Sequence, residues 1–512
     1  MKELMQPRIY THIDEEVFKN EGISLEWKTR DFVQDLEDFF EDNGYKYAIV
    51  AGLRSTGKTV GILQFLKGKK ALYISANELG KNDPNITKRV REFIIKKCSK
   101  YDYIVIDEFT WFKDYRKLLN DLIKELAKQG KKIIISGIET LNLYKERYAN
   151  GEQRVRFFDT TFRSYSEYLR MEELSHTPTS YSRFVDTDSF INRATTEDGD
   201  WWEDYIKEKL VKEICTQFEN CDEETERAVY YATCNILINA VWNMKKLNFP
   251  KGVKKDFSQF VPGEKDEEIP RERIRKIYNF VESQLLRLEI IYVVPNLEQE
   301  KPNVTKERVY ISNVSLCWAI ANFLVREFLN KPDKKEVSRV FSGDEKGAVA
   351  ECFMMAELKH HKKELDELYY LDRGDVETDG MIVNYFRYKY RATYLFESKT
   401  YNQVSIKPAA SIVSDKTANV LCDQFDLDVA GRYVIYSGQD YFRYINDKEL
   451  VFIPPDERMR YYMDFEGQRN LVLSQRYDSK TVREDVQKCL QNGVFDLPPD
   501  LKQKYLENKD DI

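Results

Sequence analysis

Histidine is scarce in this 512-residue chain, with only His12, His176, His360 and His361. The eight cysteines (Cys98, Cys215, Cys221, Cys234, Cys317, Cys352, Cys422 and Cys489) form no C-x-x-C pair. A zinc centre therefore has few candidate ligands. The thiols read as reduced and structural, as in cytosolic chains, and His360-His361 as a polar helix face. No apolar run approaches the ~20 residues that span a bilayer. The start, MKELMQPRIY, lacks the apolar core of a signal peptide. Both absences point to the cytoplasm and away from membrane. Basic excess is also missing, since 80 Lys and Arg stand against 87 Asp and Glu, a net charge of −7. That excludes a uniformly basic nucleic-acid coat, though not a local groove. There is no internal repeat and no low-complexity tract.

What is present is aromatic area. The 33 Tyr and 29 Phe argue against disorder, because burying them offsets the entropy of ordering. At about 150 residues per domain the length suggests roughly three domains. In the first third, short apolar strands (Tyr47–Ala51, Ala71–Ser75, Tyr103–Ile106, Lys132–Ser136) alternate with helical patterns. Those patterns cover Asn85–Cys98 and Tyr115–Ala127, the latter with Leu118, Leu119, Leu122, Ile123 and Leu126 on one face. Continuous apolar strands between helices predict a parallel sheet covered on both faces. Residues 173–200, rich in Ser, Thr and Asp, read as a linker, and 201–246 as helical. A charged loop (249–270), a helix (Arg271–Leu288) and two short strands (Ile290–Val294, Arg308–Ile311) follow in the order of a winged helix. Beyond residue 320 comes a helix over Gly347–Leu358. Strands follow near Leu368–Leu371, Gly380–Val383, Tyr394–Glu397, Tyr433–Tyr436 and Leu450–Ile453, and the chain closes on a charged tail, Leu501–Ile512.

The sharpest motif is Gly52-Leu53-Arg54-Ser55-Thr56-Gly57-Lys58-Thr59, followed by Val60 at the start of a helical run and preceded by an apolar strand. It matches G-x-x-x-x-G-K-S/T. Such a loop wraps backbone N–H groups around a triphosphate, and the next helix turns its positive end toward the anion. Lys58 is placed for the β- and γ-phosphates and Thr59 for Mg²⁺. The strand Tyr103-Ile-Val-Ile-Asp107-Glu108 delivers two acids to the sheet edge where ligands bind. Asp107 would hold Mg²⁺ and Glu108 would polarise the attacking water. Ser136, ending the fourth strand, is placed for the γ-phosphate or that water. Arg54, Arg154, Arg156 and Arg163 are candidates for stabilising transition-state charge, or are ordinary surface arginines.

Taken together, Arg8-Ile-Tyr10, the Gly52–Thr59 loop, Ile106-Asp-Glu108 and Ile135-Ser-Gly137 resemble bacterial and archaeal AAA-type P-loop ATPases related to the STAND group. Arg154 followed by Phe162-Arg-Ser-Tyr-Ser-Glu167-Tyr-Leu169 resembles the end of that domain. The chain departs from the pattern at Ile138-Glu139, where relatives often carry small polar residues. The resemblance implies an ATPase of residues 1–172, a linker with a helical or winged-helix domain over 173–320, and a nuclease-like domain over 321–470, with a tail of 471–512. It also implies that an arginine from a neighbouring subunit can reach the γ-phosphate, or that the chain rests as a monomer.

The last of these domains has its own constellation: Glu351 on a helix, Asp379 on one strand, Glu397 and Lys399 on another, with seventeen residues between Asp379 and Glu397. Residues two apart on a strand face the same side. The set resembles the PD-(D/E)XK nuclease fold. Asp379 and Glu397 would bind a second divalent cation, and Lys399 would orient the nucleophile. Lys407, Lys416 and Arg432 are basic neighbours that suit phosphate contacts or plain solvation. Arg271, Arg273, Arg275, Lys276 and Arg287 would charge a recognition helix, or the middle segment is a mechanical or protein-binding connector. The expectation is an α/β chain with an N-terminal P-loop NTPase, a helical or winged-helix middle and a restriction-endonuclease-like end. It would act as an ATP-binding and ATP-hydrolysing switch coupled to a domain that binds or cuts DNA or RNA. The alternative is a nucleotide-gated protein-interaction module whose nuclease-like part is inactive.

Overall fold

The computed structural model describes residues 9–41, 46–54, 56–76, 85–112, 115–138, 143, 155–160, 162–188, 201–218, 221–243, 271–298, 307–329, 344–362, 366–386, 390–399, 411–438, 441–445, 448–456 and 459. The chain divides into two compact units. The first is Met1–Arg163, Phe190–Thr233 and Glu268–Ile290; the second is Ser164–Ser189, Cys234–Glu267 and Ile291–Ile512. Among the described residues no helix is long and apolar enough to cross a membrane.

The first unit is built on strands β1 (Ile9–Tyr10), β2 (Lys46–Ala51), β3 (Ala71–Ser75), β4 (Tyr103–Asp107), β5 (Lys132–Gly137) and β6 (Val155–Asp159). Their order in the sheet is β1-β3-β4-β5-β2-β6. Every pairing is parallel except that of β1, which runs antiparallel along β3. Helices α1 (Glu15–Asn20), α2 (Asp31–Phe40), α3 (Lys58–Leu66), α4 (Ile86–Lys97) and α5 (Tyr115–Ala127) cover the sheet. Strand alternation sorts the core. Ile49, Ile74, Ile106 and Ile135 pack with Ile94 of α4 and Leu118 and Leu122 of α5. Val50, Tyr73, Val105 and Ile134 pack on the opposite face with Phe32 and Leu36 of α2 and Ile62 and Leu66 of α3. At the sheet edge the Tyr10 and Tyr73 rings stack with centroids 5.7 Å apart.

Several elements depart from the sequence expectation. β6 and the helices α1 and α2 add to the sheet domain. The Ser/Thr-rich stretch read as a linker contains a helix, Pro178–Arg183, because Thr177 and Ser180 form a reciprocal capping box with Pro178 in the first turn. The 201–246 helix is broken into Trp201–Tyr205, a π-helical stretch Ile206–Val211, Lys212–Cys215 and Glu223–Asn243. The charged 249–270 loop, the 501–512 tail, Ser55, Arg154 and Lys407 lie outside the described residues.

In the second unit, β7 (Ile291–Pro295) and β8 (Glu307–Ile311) form an antiparallel ribbon. The helix Arg271–Arg287 falls in the first unit. A second sheet contains β9 (Glu367–Asp372), β10 (Glu377–Phe386), β11 (Tyr390–Ser398), β12 (Asp428–Ile435), β13 (Tyr441–Ile445) and β14 (Lys448–Ile453) in the order β13-β14-β12-β11-β10-β9. β9, β10 and β11 run antiparallel, and the helix Asp415–Phe425 carries the chain over to β12, parallel to β11. Met381, Leu395, Leu421 and Val434 build the core on that helix's side. The helix Asp344–His361 packs on the other side, where Gly380 meets Met354, Met355 and Leu358. His361 lies 3.3 Å from Glu357 one turn back on that helix, while His360 is exposed.

The seam between α2 and α3 tests this packing. A Cβ at Gly61 would stand 2.3 Å from Phe32 Cζ and 2.9 Å from Val33 Cγ2. An exposed helical Gly→Ala change stabilises by about 1 kcal/mol. Here overpacking outweighs that gain, so Gly61→Ala is expected to lower stability by about 1–3 kcal/mol, read from chemical denaturation followed through the first unit's tryptophans.

Candidate nucleotide site

The loop between β2 and α3 starts where the sheet ends. Gly52 N donates to Gly137 O (3.0 Å), which fixes the loop's origin against β5. Gly57 caps α3 with φ of 86°, a left-handed conformation that a side chain would strain. Thr56 Oγ1 donates to Leu53 O (2.8 Å), closing the loop on itself. Lys58 is buried, with Nζ at 2.8 Å from Gly52 O, 2.7 Å from Leu53 O and 3.8 Å from Glu108 Oε1. Val60 continues α3 into its buried face.

Strand order brings the acids to this loop. β5 lies between β2 and β4, so Ser136 stands between the loop and Asp107. Asp107 is buried and collects three hydroxyls. Thr59 Oγ1 donates to Oδ2 (2.6 Å), Tyr73 OH to Oδ2 (2.7 Å) and Ser136 Oγ to Oδ1. Glu108 follows at φ 55°, in the left-handed region, with its N–H on Ser136 Oγ (2.9 Å). Burial pushes the Glu108 carboxyl up, Lys58 draws it down and Asp107 pushes it up again. Burial, with Asp107 alongside, raises the Tyr73 phenol far above its usual range, so it stays a donor. Thr59 and Asp107 together supply hard oxygen ligands at the mouth of a lysine-bearing loop. That donor set fits Mg²⁺, which takes a hydroxyl and a carboxylate and keeps several waters.

Residues without a motif also shape the loop. Arg30, buried ahead of α2, donates to Thr56 O (2.6 Å), Thr160 O (3.4 Å) and Phe162 O (3.3 Å). Thr160 reaches back to Ala51 O through its N–H (2.7 Å) and its hydroxyl (3.0 Å). Arg54 pairs with Glu213 (3.0 Å), and Arg156 lies 3.7 Å from Asp35 on the surface. Arg163 is buried. No sequence signal marks Arg30 or Glu213. Thr160, a polar residue directly after an apolar strand, carries a faint one.

In the second unit the three acids have different partners. The β10–β11 ladder begins at Gly380–Phe396, and Asp379 and Glu397 are the next residues along their strands. Ser398 N donates to Asp379 Oδ2 (3.1 Å), and Lys399 Nζ lies 2.5 Å from Glu397 Oε1. Glu351 comes from the helix Asp344–His361. Its Oε1 accepts from Arg308 (3.0 Å) and Tyr310 (2.7 Å) of the β7–β8 ribbon. Among the described residues no three His, Cys, Asp or Glu side chains group as metal ligands. Lys416 pairs with Asp375 (3.1 Å), and Arg432 donates to Ile412 O (3.0 Å). Beside them lies a pocket of about 400 Å³ lined by Asp372, Asp375, Glu377, Ser411 and Lys416.

Residues 44–169 match the family model described as AAA domain. No match is found among curated proteins. Solved structures similar to this chain include a DNA replication initiation factor, at 11% identity and TM-score 0.21, over 50% of this chain and 91% of that one. The Aeropyrum pernix ORC1 protein, solved in complex with DNA, aligns at 13% identity and TM-score 0.22, over 58% and 92%. A STAND protein with a tetratricopeptide repeat sensor from Pyrococcus horikoshii aligns at 13% and 0.19, over 65% and 53%. The stretch from residue 44 to residue 169, which carries the phosphate-type loop and the paired acids, is thus the part of the chain that is similar to an AAA domain.

Proposed function

We propose that this protein is an ATP-hydrolysing switch whose chemistry lies between the Gly52–Thr59 loop and the ends of β4 and β5. The observation that carries the reading is the junction of Thr59 and Ser136 on Asp107, beside Lys58 and Glu108. The loop's N–H groups and Lys58 hold the β- and γ-phosphates. Thr59 and Asp107 would hold Mg²⁺, which when bound neutralises charge on the phosphoryl oxygens. Ser136 orients Glu108 through its backbone N–H. Glu108, ionised beside Lys58, accepts the proton of the attacking water. Arg30 keeps the loop in its bound shape by holding Thr56 O.

Four outcomes test this. Lys58→Ala abolishes ATP binding in calorimetric titration. Glu108→Gln still binds ATP but loses hydrolysis by at least about 100-fold, the usual share of a general base. Because the Glu108 carboxyl is raised, the wild-type rate falls on acidification at a pH above the ordinary carboxylate range, and a profile with an ordinary Glu midpoint removes it as the base. Arg30→Ala, which strips charged hydrogen bonds from the loop, weakens ATP binding by about tenfold in the same titration.

A second reading concerns the C-terminal unit. The element sequence helix, β9-β10-β11, helix, β12 and the juxtaposition of Asp379, Glu397 and Lys399 support a PD-(D/E)XK-like fold that engages DNA or RNA. The ion pair of Glu351 with Arg308 and that of Glu397 with Lys399 favour binding, or a structural role, over cleavage. Under that reading purified protein cuts neither DNA nor RNA with Mg²⁺ or Mn²⁺, with or without ATP. Metal-dependent cleavage lost in both Glu397→Ala and Lys399→Ala reverses the choice and assigns a second cation there.

A further inference from the structure

The Arg54–Glu213 contact joins two parts of the first unit that are far apart in sequence. Arg54 belongs to the phosphate-type loop, and its side chain is 48% exposed. Its Nε lies 3.0 Å from Oε2 of Glu213, whose side chain is only 7% exposed. The Arg54 guanidinium also sits 5.9 Å from the ring centroid of Trp111, in the short 3-10 turn immediately after Glu108. Glu213 is carried by Lys212–Cys215, which continues the π-helical Ile206–Val211. Ile206, Leu210, Val211 and Ile214 are buried, so this segment is packed and its carboxylate is aimed by the fold. Thr216 Oγ1, at 3.5 Å from Oε1, gives that carboxylate only a weak further contact. The pair also reaches the chemistry, since Arg54 draws the Glu108 carboxyl down and Glu213 pushes it up.

A buried carboxylate needs its cation, because an ion left unpaired away from water is costly. Guanidinium, in turn, prefers a phosphate when one is offered, through parallel N–H···O bonds. We propose that Glu213 is a positioning residue that competes with the terminal phosphate of ATP for Arg54, so that the 201–215 segment distinguishes triphosphate from diphosphate. When Arg54 turns to the terminal phosphate, Glu213 loses its partner and the turn at 212–215 loosens toward water. ADP lacks the competing phosphate and leaves the pair closed. Linkage makes the effect reciprocal, so whatever holds Glu213 on Arg54 disfavours ATP by the same factor.

The inference rests on the reading of the Gly52–Thr59 loop as the ATP site, and the test separates the two. Dissociation constants for ATP and ADP are measured on the full chain for wild type, Lys58→Ala, Glu213→Gln, Arg54→Met and the Arg54→Met/Glu213→Gln double variant. Amide exchange of residues 201–215 is followed with each nucleotide. Glu213→Gln keeps the shape of the side chain but removes its charge. Its preference for ATP over ADP is expected to rise about five- to tenfold, within the usual range of coupling between sites. In the Arg54→Met background the same substitution changes nothing. Exchange at 201–215 is faster with ATP than with ADP in wild type, and this difference vanishes in Glu213→Gln. The double variant buries no unpaired charge, so it reports even where Arg54→Met alone folds poorly. Binding present in wild type and lost in Lys58→Ala, with Glu213→Gln matching wild type in preference and exchange, overturns this proposal alone. A wild-type chain that binds no ATP overturns both readings.

Discussion

The first unit is organised around one buried carboxylate. Asp107 ends a fully apolar strand and carries a charge that the interior tolerates only when hydrogen bonds surround it. Those bonds come from three different elements: Thr59 at the start of α3, Tyr73 on β3 and Ser136 on β5. Strand order, helix position and the reach of the loop therefore share one constraint. The insertion of β5 between β2 and β4 is what makes the geometry close. It brings Ser136 to Asp107 Oδ1 and to the N–H of Glu108.

Much of this was legible in the sequence because the signals are local. The glycine and lysine spacing of the loop, the apolar run ending in Asp107-Glu108 and the run ending in Ser136 each report their own neighbourhood. Sheet order cannot be read that way, and neither can Tyr73, whose role depends on β3 lying beside β4. Arg30 is invisible for the same reason. It precedes an amphipathic helix like any other polar residue, and only the folded chain brings it 26 positions along to Thr56 O and 130 positions along to Thr160 O.

The second unit shows where periodicity stops being informative. The strands are readable from their apolar runs, and Lys399 Nζ reaches Glu397 Oε1 two residues back. Glu351 was grouped with them on order along the chain. The helix that carries it packs against Gly380. The Glu351 carboxylate accepts from Arg308 and Tyr310. The helix Arg271–Arg287 and the β7–β8 ribbon follow each other in sequence as in a winged helix, yet they belong to different compact units.

The shortest strand has a long reach. β1 contributes only Ile9 and Tyr10, yet it covers the outer margin of the sheet, where β3 would otherwise present unpaired main-chain groups to any passing strand. Tyr10 also lies flat against the ring whose hydroxyl steadies Asp107. Peeling away those two residues would do more than fray an edge. It would remove the backing of Tyr73 and pass the disturbance, through a single phenol, to the buried acid at the end of β4.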